Sequence, residues 1–244
     1  MTTSYQNKIL KMRTELVAYF PLNEQGGTVV YDLSKHGYNG TSSALVRHPA
    51  TRGFRTPDGL TCAQFDGSSS YIDIHAISPS SANAALTFSI WAAIDDSQLT
   101  GTTTKYIARV SADTANSIEI VKDGTAQRFS GNYYAGAGDA TYSTTYGQKV
   151  YNDIYAKQFP KWHHFAITAD AGTADSAYLY VDGVASTACT SLGTWTGAFD
   201  DTCTCLGASN TGASNAFKGY LAHAAMWSVV LSAAEIRELY KIGP

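Results

Sequence analysis

The strongest constraint in this chain is an alternation of side chains with a period of two. In Leu86-Thr-Phe-Ser-Ile-Trp-Ala92, the residues Leu86, Phe88, Ile90 and Ala92 fall on one side of an extended backbone, with Thr87, Ser89 and Trp91 on the other. A helix cannot gather such a pattern on one stripe; a strand with one face against a core can. Further runs that read as strands lie at Leu16–Leu22, Cys62–Phe65, Tyr71–Ile74, Tyr106–Val110, Ser117–Val121, His163–Thr168, Ala177–Val181 and Gly219–Trp227, separated by clusters of Gly, Asp, Asn and Ser. This rhythm predicts one all-β domain over residues 16–244, within the roughly 200–250 residues that a sandwich can occupy as a single unit.

Turns and termini refine the picture. Asp182-Gly183 lies between Tyr178-Leu-Tyr-Val181 and Val184-Ala185, and Asp123-Gly124 follows Ile118–Lys122. Both read as two-residue hairpin turns, because Asp-Gly readily adopts positive φ. Residues 1–15 form a separate N-terminal segment, in which Ile9, Leu10 and Met12 stand among Lys8, Lys11 and Arg13. That spacing suits about two turns of amphipathic helix, or equally an arm that orders only against a partner. At the other end, Ser232-Ala-Ala-Glu235 reads as a capping box opening one short helix, with Ile236, Leu239 and Tyr240 as its apolar stripe. Between strands, residues 131–159 form a long tyrosine-rich insertion, and a connection of that length is uncommon unless it is functional or carries its own hairpin.

Charge narrows the partners. Only 15% of residues are charged, and the net charge is -3. No basic stripe is available for phosphates, which excludes nucleic acid as the main partner. No apolar run reaches the ~20 residues of a membrane-spanning helix. Lysines interrupt the N-terminal stretch where a signal peptide would keep an apolar segment, so export by a cleaved signal is not expected. In a reducing compartment Cys62, Cys189, Cys203 and Cys205 read as buried thiols, with a disulfide from Cys189 to Cys203 or Cys205 as the alternative. Cys203-Thr-Cys205 lacks the two-residue gap of a zinc knuckle.

Several blocks, in order along the chain, resemble the laminin-G-like, concanavalin A-like lectin/glucanase jelly rolls. They are Leu16-Val-Ala-Tyr-Phe-Pro-Leu-Asn-Glu24, Asp32-Leu-Ser-Lys-His-Gly-Tyr-Asn-Gly40, Phe65-Asp-Gly-Ser-Ser-Ser-Tyr-Ile-Asp-Ile74 and Phe88-Ser-Ile-Trp91. Further on come Trp162-His-His-Phe165 with Tyr178-Leu-Tyr-Val-Asp-Gly183, and the closing stretch Phe217-Lys-Gly-Tyr-Leu221 with Trp227–Tyr240. The resemblance implies an antiparallel two-sheet sandwich, with Phe88, Ile90, Phe165, Ile167, Leu179 and Val181 on its inner faces. Trp91, Trp162 and Trp227 are expected to pack rather than to carry sugars.

The same resemblance frames the chemistry. Glycoside hydrolysis needs two carboxylates flanking the scissile bond. Glu15, Glu24, Glu119, Glu235 and Glu238 form no Glu-x-Asp-x-Glu strand, so catalytic residues are not expected. His163 and His164 fall on opposite faces of their strand and cannot aim at one substrate. Many members of the family hold calcium, and Asp32 with Asn39 matches the acidic loop that could contribute to such a site. The frequent Asp-Glu of the closing strand is replaced here by Ala222-His223, which removes two possible ligands. For binding, Tyr133, Tyr134, Tyr142 and Tyr146, together with Asp139, Asn132 and Gln148, combine aromatic faces with polar groups. Such a set suits a glycan or a protein partner equally.

An opening of the form M-x-x-S-Y-x-N-K-I-L, running into L-V-A-Y-F-P-L-N-E, resembles virion proteins of tailed bacteriophages. The expected role is therefore a non-catalytic component of a capsid or tail. It would display a lectin-like domain toward host-surface glycans, with residues 2–15 as an anchor to other virion proteins or sister copies. A closed ring of copies, a trimer, is the expected assembly. An extracellular carbohydrate-binding or adhesion module and a glycan-cleaving enzyme are the alternatives.

Overall fold

The computed structural model describes residues 4–43, 46–48, 56, 58–75, 77, 85–98, 101–113, 115–124, 128–135, 161–172, 174–193, 195 and 204–244, with side chains given at all of these except 46–48 and 96. Helix α1 (Ser4–Met12) precedes the strands β1 (Leu16–Phe20), β2 (Val29–Val30), β3 (Gly40–Ser42), β4 (Val46–His48), β5 (Cys62–Asp66), β6 (Ile72–Asp73), β7 (Ala85–Ile94) and β8 (Lys105–Ser111). They are followed by β9 (Ser117–Lys122), β10 (Phe129–Tyr134), β11 (Trp162–Asp170), β12 (Ser176–Val181), β13 (Val184–Ala185), β14 (Cys189–Thr190), β15 (Cys205–Leu206), β16 (Lys218–Trp227) and helix α2 (Ala233–Ile242).

Among the described residues the strands make two antiparallel sheets. The back sheet has the order β13-β12-β11-β7-β16-β5-β4, with β1 also pairing with β16 and β14 with β12; the front sheet has the order β10-β9-β8-β15-β6-β3-β2. Leu86, Phe88, Ile90 and Ala92 all enter the core between the sheets, beside Phe165, Ile167, Leu179 and Val181. The alternation in β7 thus has the consequence expected of it: one face meets the opposite sheet, and the other face meets something else.

That something else is the pair of helices. A second apolar cluster on the outer face of the back sheet joins Trp91, Ala166, Tyr180, Ala222 and Trp227 to Tyr5 and Ile9 of α1 and to Ile236 and Leu239 of α2. Helix α1 forms within the chain itself, and Tyr5 and Ile9 are fully buried there. Lys8 pairs with Glu238 at 2.6 Å and Arg13 with Glu235 at 2.6 Å, tying α1 to α2. Ser232 and Glu235 make the capping box expected of them, the Glu235 amide donating to Ser232 Oγ and the Ser232 amide to Glu235 Oε2. No helix among the described residues is long and apolar enough to cross a membrane.

Two local features differ from or complete the sequence expectations. Asp182 and Gly183 both have positive φ, 52° and 75°, and close the two-residue turn between β12 and β13. Asp123-Gly124 does not form such a turn. Lys122 pairs with Phe129, so residues 123–128 connect β9 to β10, and the Asp123 amide donates to the Arg128 carbonyl. Gly124 serves a close approach instead, since a Cβ there would stand 2.1 Å from the Thr102 carbonyl oxygen. Cys62 and Cys189 are buried free thiols and Cys205 is buried; Cys203 lies outside the described residues.

Candidate functional site

Strands β8, β9 and β10 run side by side at one end of the front sheet, and their register stacks outward-facing residues into rows. Val121 lies between Tyr106 and Ser130, Glu119 between Arg109 and Asn132, and Ser117 between Ser111 and Tyr134. Ile118, Ile120 and Phe129 take the opposite face and enter the core. Together with Thr104, Asp123, Arg128 and Asn215, the outer residues Tyr106, Glu119, Val121, Ser130, Asn132 and Tyr134 line a groove of about 380 Å³. Tyrosine faces, amides, hydroxyls and carboxylates converge there, which is the chemistry of a polar ligand with ring surfaces.

The floor of the groove is a braced polar network. Asn132 Nδ2 donates to Glu119 Oε2 at 3.1 Å, Ser117 Oγ donates to Glu119 Oε1 at 3.2 Å, and Arg109 Nε stands 3.2 Å from the same Oε1. Burial pushes the Glu119 carboxyl above its usual range, against the opposing pull of Asn132, Arg109 and Ser117. At the groove end, Arg128 Nε lies 3.3 Å from Asp123 Oδ2. The Ser130 hydroxyl is buried and has no hydrogen-bond partner among the described residues. A buried hydroxyl without a partner is costly, and a ligand hydroxyl in the groove would remove that cost.

The tyrosines proposed from sequence are divided by the strand alternation. Tyr133 faces the core, buried against Trp195 with ring centroids 5.7 Å apart. Tyr134, one residue on, lines the groove. Asp139, Tyr142, Tyr146 and Gln148 lie outside the described residues. Sequence reasoning missed Tyr106, Ser130 and Asn215, and it saw Glu119 only as a carboxylate without a partner. The signal lies in the odd positions 117, 119, 121 and 123 and the even positions 130, 132 and 134, but an insertion taken from residue 131 onward hides the strand β10.

Asp32 and Asn39 do come together, in a loop clasped to β1. Asp32 Oδ1 accepts from the amides of Tyr19 and Ser34, both at 2.8 Å, and Oδ2 accepts from Ser34 Oγ at 2.7 Å and the Tyr38 amide at 2.9 Å. Asn39 Oδ1 accepts from the Asp32 amide at 2.9 Å. These oxygens brace the loop, and a calcium ion would have to displace those donors. Among the described residues no group of three or more His, Cys, Asp or Glu is arranged to hold a metal ion.

The two histidines of β11 are likewise engaged separately. His163 Nδ1 meets Asp182 Oδ2 at 2.8 Å, whereas His164 Nε2 meets Ser89 Oγ at 2.8 Å on the outer face of the back sheet. Their opposite orientations follow from the alternation, and neither lines the groove.

Residues 66–237 match the model of the laminin G 3 family, described as the Concanavalin A-like lectin/glucanases superfamily. No curated protein matches the chain. Among solved structures, domain 4 of AbnA, a GH43 extracellular arabinanase from Geobacillus stearothermophilus in complex with arabinotriose, is similar at 18% identity and TM-score 0.61, covering 93% of this chain and 98% of that one. Trypanosoma rangeli sialidase in complex with the inhibitor DANA is similar at 15% identity and TM-score 0.62, covering 92% of this chain and 32% of that one. The botulinum neurotoxin type G receptor binding domain is similar at 14% identity and TM-score 0.62, covering 94% of this chain and 51% of that one. The chain thus spans about a third of the sialidase and about half of the neurotoxin structure, and at these identities the likeness is one of fold.

Proposed function

From the premise that this chain belongs to the Concanavalin A-like lectin/glucanases superfamily, we propose that it is a non-catalytic glycan-binding module whose site is the groove over β8, β9 and β10. The observation that carries this reading is the juxtaposition of Tyr106 and Tyr134 with an amide and hydroxyl floor containing the unpartnered Ser130 hydroxyl. Aromatic faces take the apolar side of a sugar ring and the polar floor takes its hydroxyls. Domain 4 of the arabinanase, similar over nearly its whole length, was solved with arabinotriose, which supports a glycan as the ligand class.

Binding without cleavage is supported by the state of the groove carboxylates. Glu119 is held by Arg109, Asn132 and Ser117, and Asp123 by Arg128. Both are engaged in bracing rather than poised about a common bond. An array of immobilised bacterial surface polysaccharides tests the reading: the protein should bind a subset, lose that binding in Tyr134→Ala, and leave polymer length unchanged. Absence of binding across the array, or shortening of a bound polymer, would overturn it.

The setting proposed for this module is a tailed-phage particle, as a capsid or tail component in a closed ring of copies. The resemblance of the opening residues to such virion proteins supports it. Since Tyr5 and Ile9 are buried within the chain, attachment to other virion proteins would use the outward side of α1, where Asn7 and Lys11 are exposed. The protein should then copurify with particles in fixed copy number, and its absence from purified virions would remove this setting.

A further inference from the structure

The register of the front sheet also sets the length and charge of what the groove can hold. Tyr106 lies on β8 opposite Val121, and Tyr134 lies on β10 opposite Ser117. The two tyrosines are therefore two strands and two rows apart. With strands about 4.8 Å apart and rows about 6.7 Å apart, their Cα atoms are separated by roughly 16 Å along the diagonal. A sugar residue built from bonds of about 1.4–1.5 Å advances a glycan by roughly 5 Å. One ring cannot reach both platforms, whereas a chain of three can.

Between the platforms the diagonal passes over Glu119, with Val121 and Asn132 beside it and Ser130 at the corner of the grid beyond them. Among the described residues the charged groups of the groove and its floor pair off: Glu119 faces Arg109 at 3.2 Å and Asp123 faces Arg128 at 3.3 Å. An anionic sugar would bring its carboxylate against guanidinium groups that already have carboxylate partners, and beside those carboxylates themselves. Desolvating a third anion there is unfavourable unless it gains a cation of its own. A neutral sugar needs only hydroxyl partners, and Ser130 supplies a buried one without a present partner.

Resting on the glycan-binding reading above, we infer that the groove selects neutral oligosaccharides of at least three residues, laid diagonally across β8–β10 between Tyr106 and Tyr134. Calorimetric titration with ladders of one to six residues, of neutral hexose, pentose and N-acetylhexosamine, tests this. Affinity should rise at least about tenfold between the disaccharide and the trisaccharide or tetrasaccharide and then level off. Tyr106→Ala should flatten that rise and Tyr134→Ala should remove the binding, both at an unchanged melting temperature, and oligosaccharides ending in sialic or uronic acid should bind about tenfold more weakly. A monosaccharide binding as tightly as a tetrasaccharide would overturn the length inference while leaving the glycan-binding reading intact, provided Tyr134→Ala still abolishes binding. Equal affinity for acidic and neutral ladders would overturn the selectivity, and failure of every ladder to bind would overturn both.

Discussion

The Tyr19 hydroxyl and His223 Nδ1 share a hydrogen bond of 2.7 Å across a seam in the back sheet. Along one edge of β16, Lys218–Leu221 pair with β5, and Ala224–Trp227 pair with β1. His223 sits between them with φ 53°, and the register against β7 shifts there by one residue. It is a bulge that lets one strand serve two neighbours, and the buried imidazole fills the seam. Tyr5 of α1 packs edge-on to His223 at 4.9 Å and accepts a hydrogen bond from Trp91 Nε1 at 2.8 Å.

Stability should fall in mild acid. Burial lowers the pKa of both His164 and His223 to about 4 in the folded protein, against 6.5 when exposed. The unfolded chain therefore binds more protons between those limits, so stability is complete above pH 6.5 and declines as pH falls toward 4. Denaturant titrations across that window should show the loss, and His164→Asn with His223→Asn should reduce its slope; Asn tolerates the positive φ at 223. An unchanged slope in the double variant would assign the acid sensitivity to other groups.

Removing α1 should destabilise the domain rather than merely detach it. Tyr5 and Ile9 are fully buried on the back sheet, and truncating such side chains to Ala costs about 2–5 kcal/mol each. Tyr5→Ala should lower the thermal midpoint by several degrees and expose Trp91 to quenching. A midpoint equal to that of the parent would show that α1 is not part of the folded unit.

Asp32→Ala should cost on the order of 2–3 kcal/mol by leaving the Tyr19, Ser34 and Tyr38 donors without an acceptor. Added calcium should leave the melting temperatures of parent and variant unchanged. A calcium-dependent rise confined to the parent would instead place a cation on the Asp32 and Asn39 loop.

Gly207 is irreplaceable by a side chain for two reasons. Its φ is 78°, and a Cβ would stand 2.2 Å from the Phe65 ring. Gly207→Ala should destabilise by more than about 2 kcal/mol, measured by urea unfolding. A loss below about 0.5 kcal/mol would mean that the Phe65 ring moves aside freely.

Much of the sandwich was legible because burial on one face writes a period of two into strands such as β7 and β11. The short strands β2, β3, β14 and β15 were not, since two or three residues carry no periodicity and their placement depends on partners distant in the chain. Tyr134 was legible as an aromatic near polar groups. Its separation from Tyr133 was not, because which of two adjacent tyrosines faces the core depends on where β10 begins its pairing with β9.

The alternation, the Asp182-Gly183 turn and the Ser232 capping box are local, and the residues themselves determined them through backbone geometry and hydrogen bonds of short reach. The groove depended on register. Tyr106, Glu119, Asn132 and Tyr134 come from three strands, and only the pairing of β8 with β9 and of β9 with β10 sets them in rows. Shifting either pairing by one residue would exchange the faces and bury the polar set, so burial of Ile118, Ile120 and Phe129 on the inner face is what holds the binding surface outside.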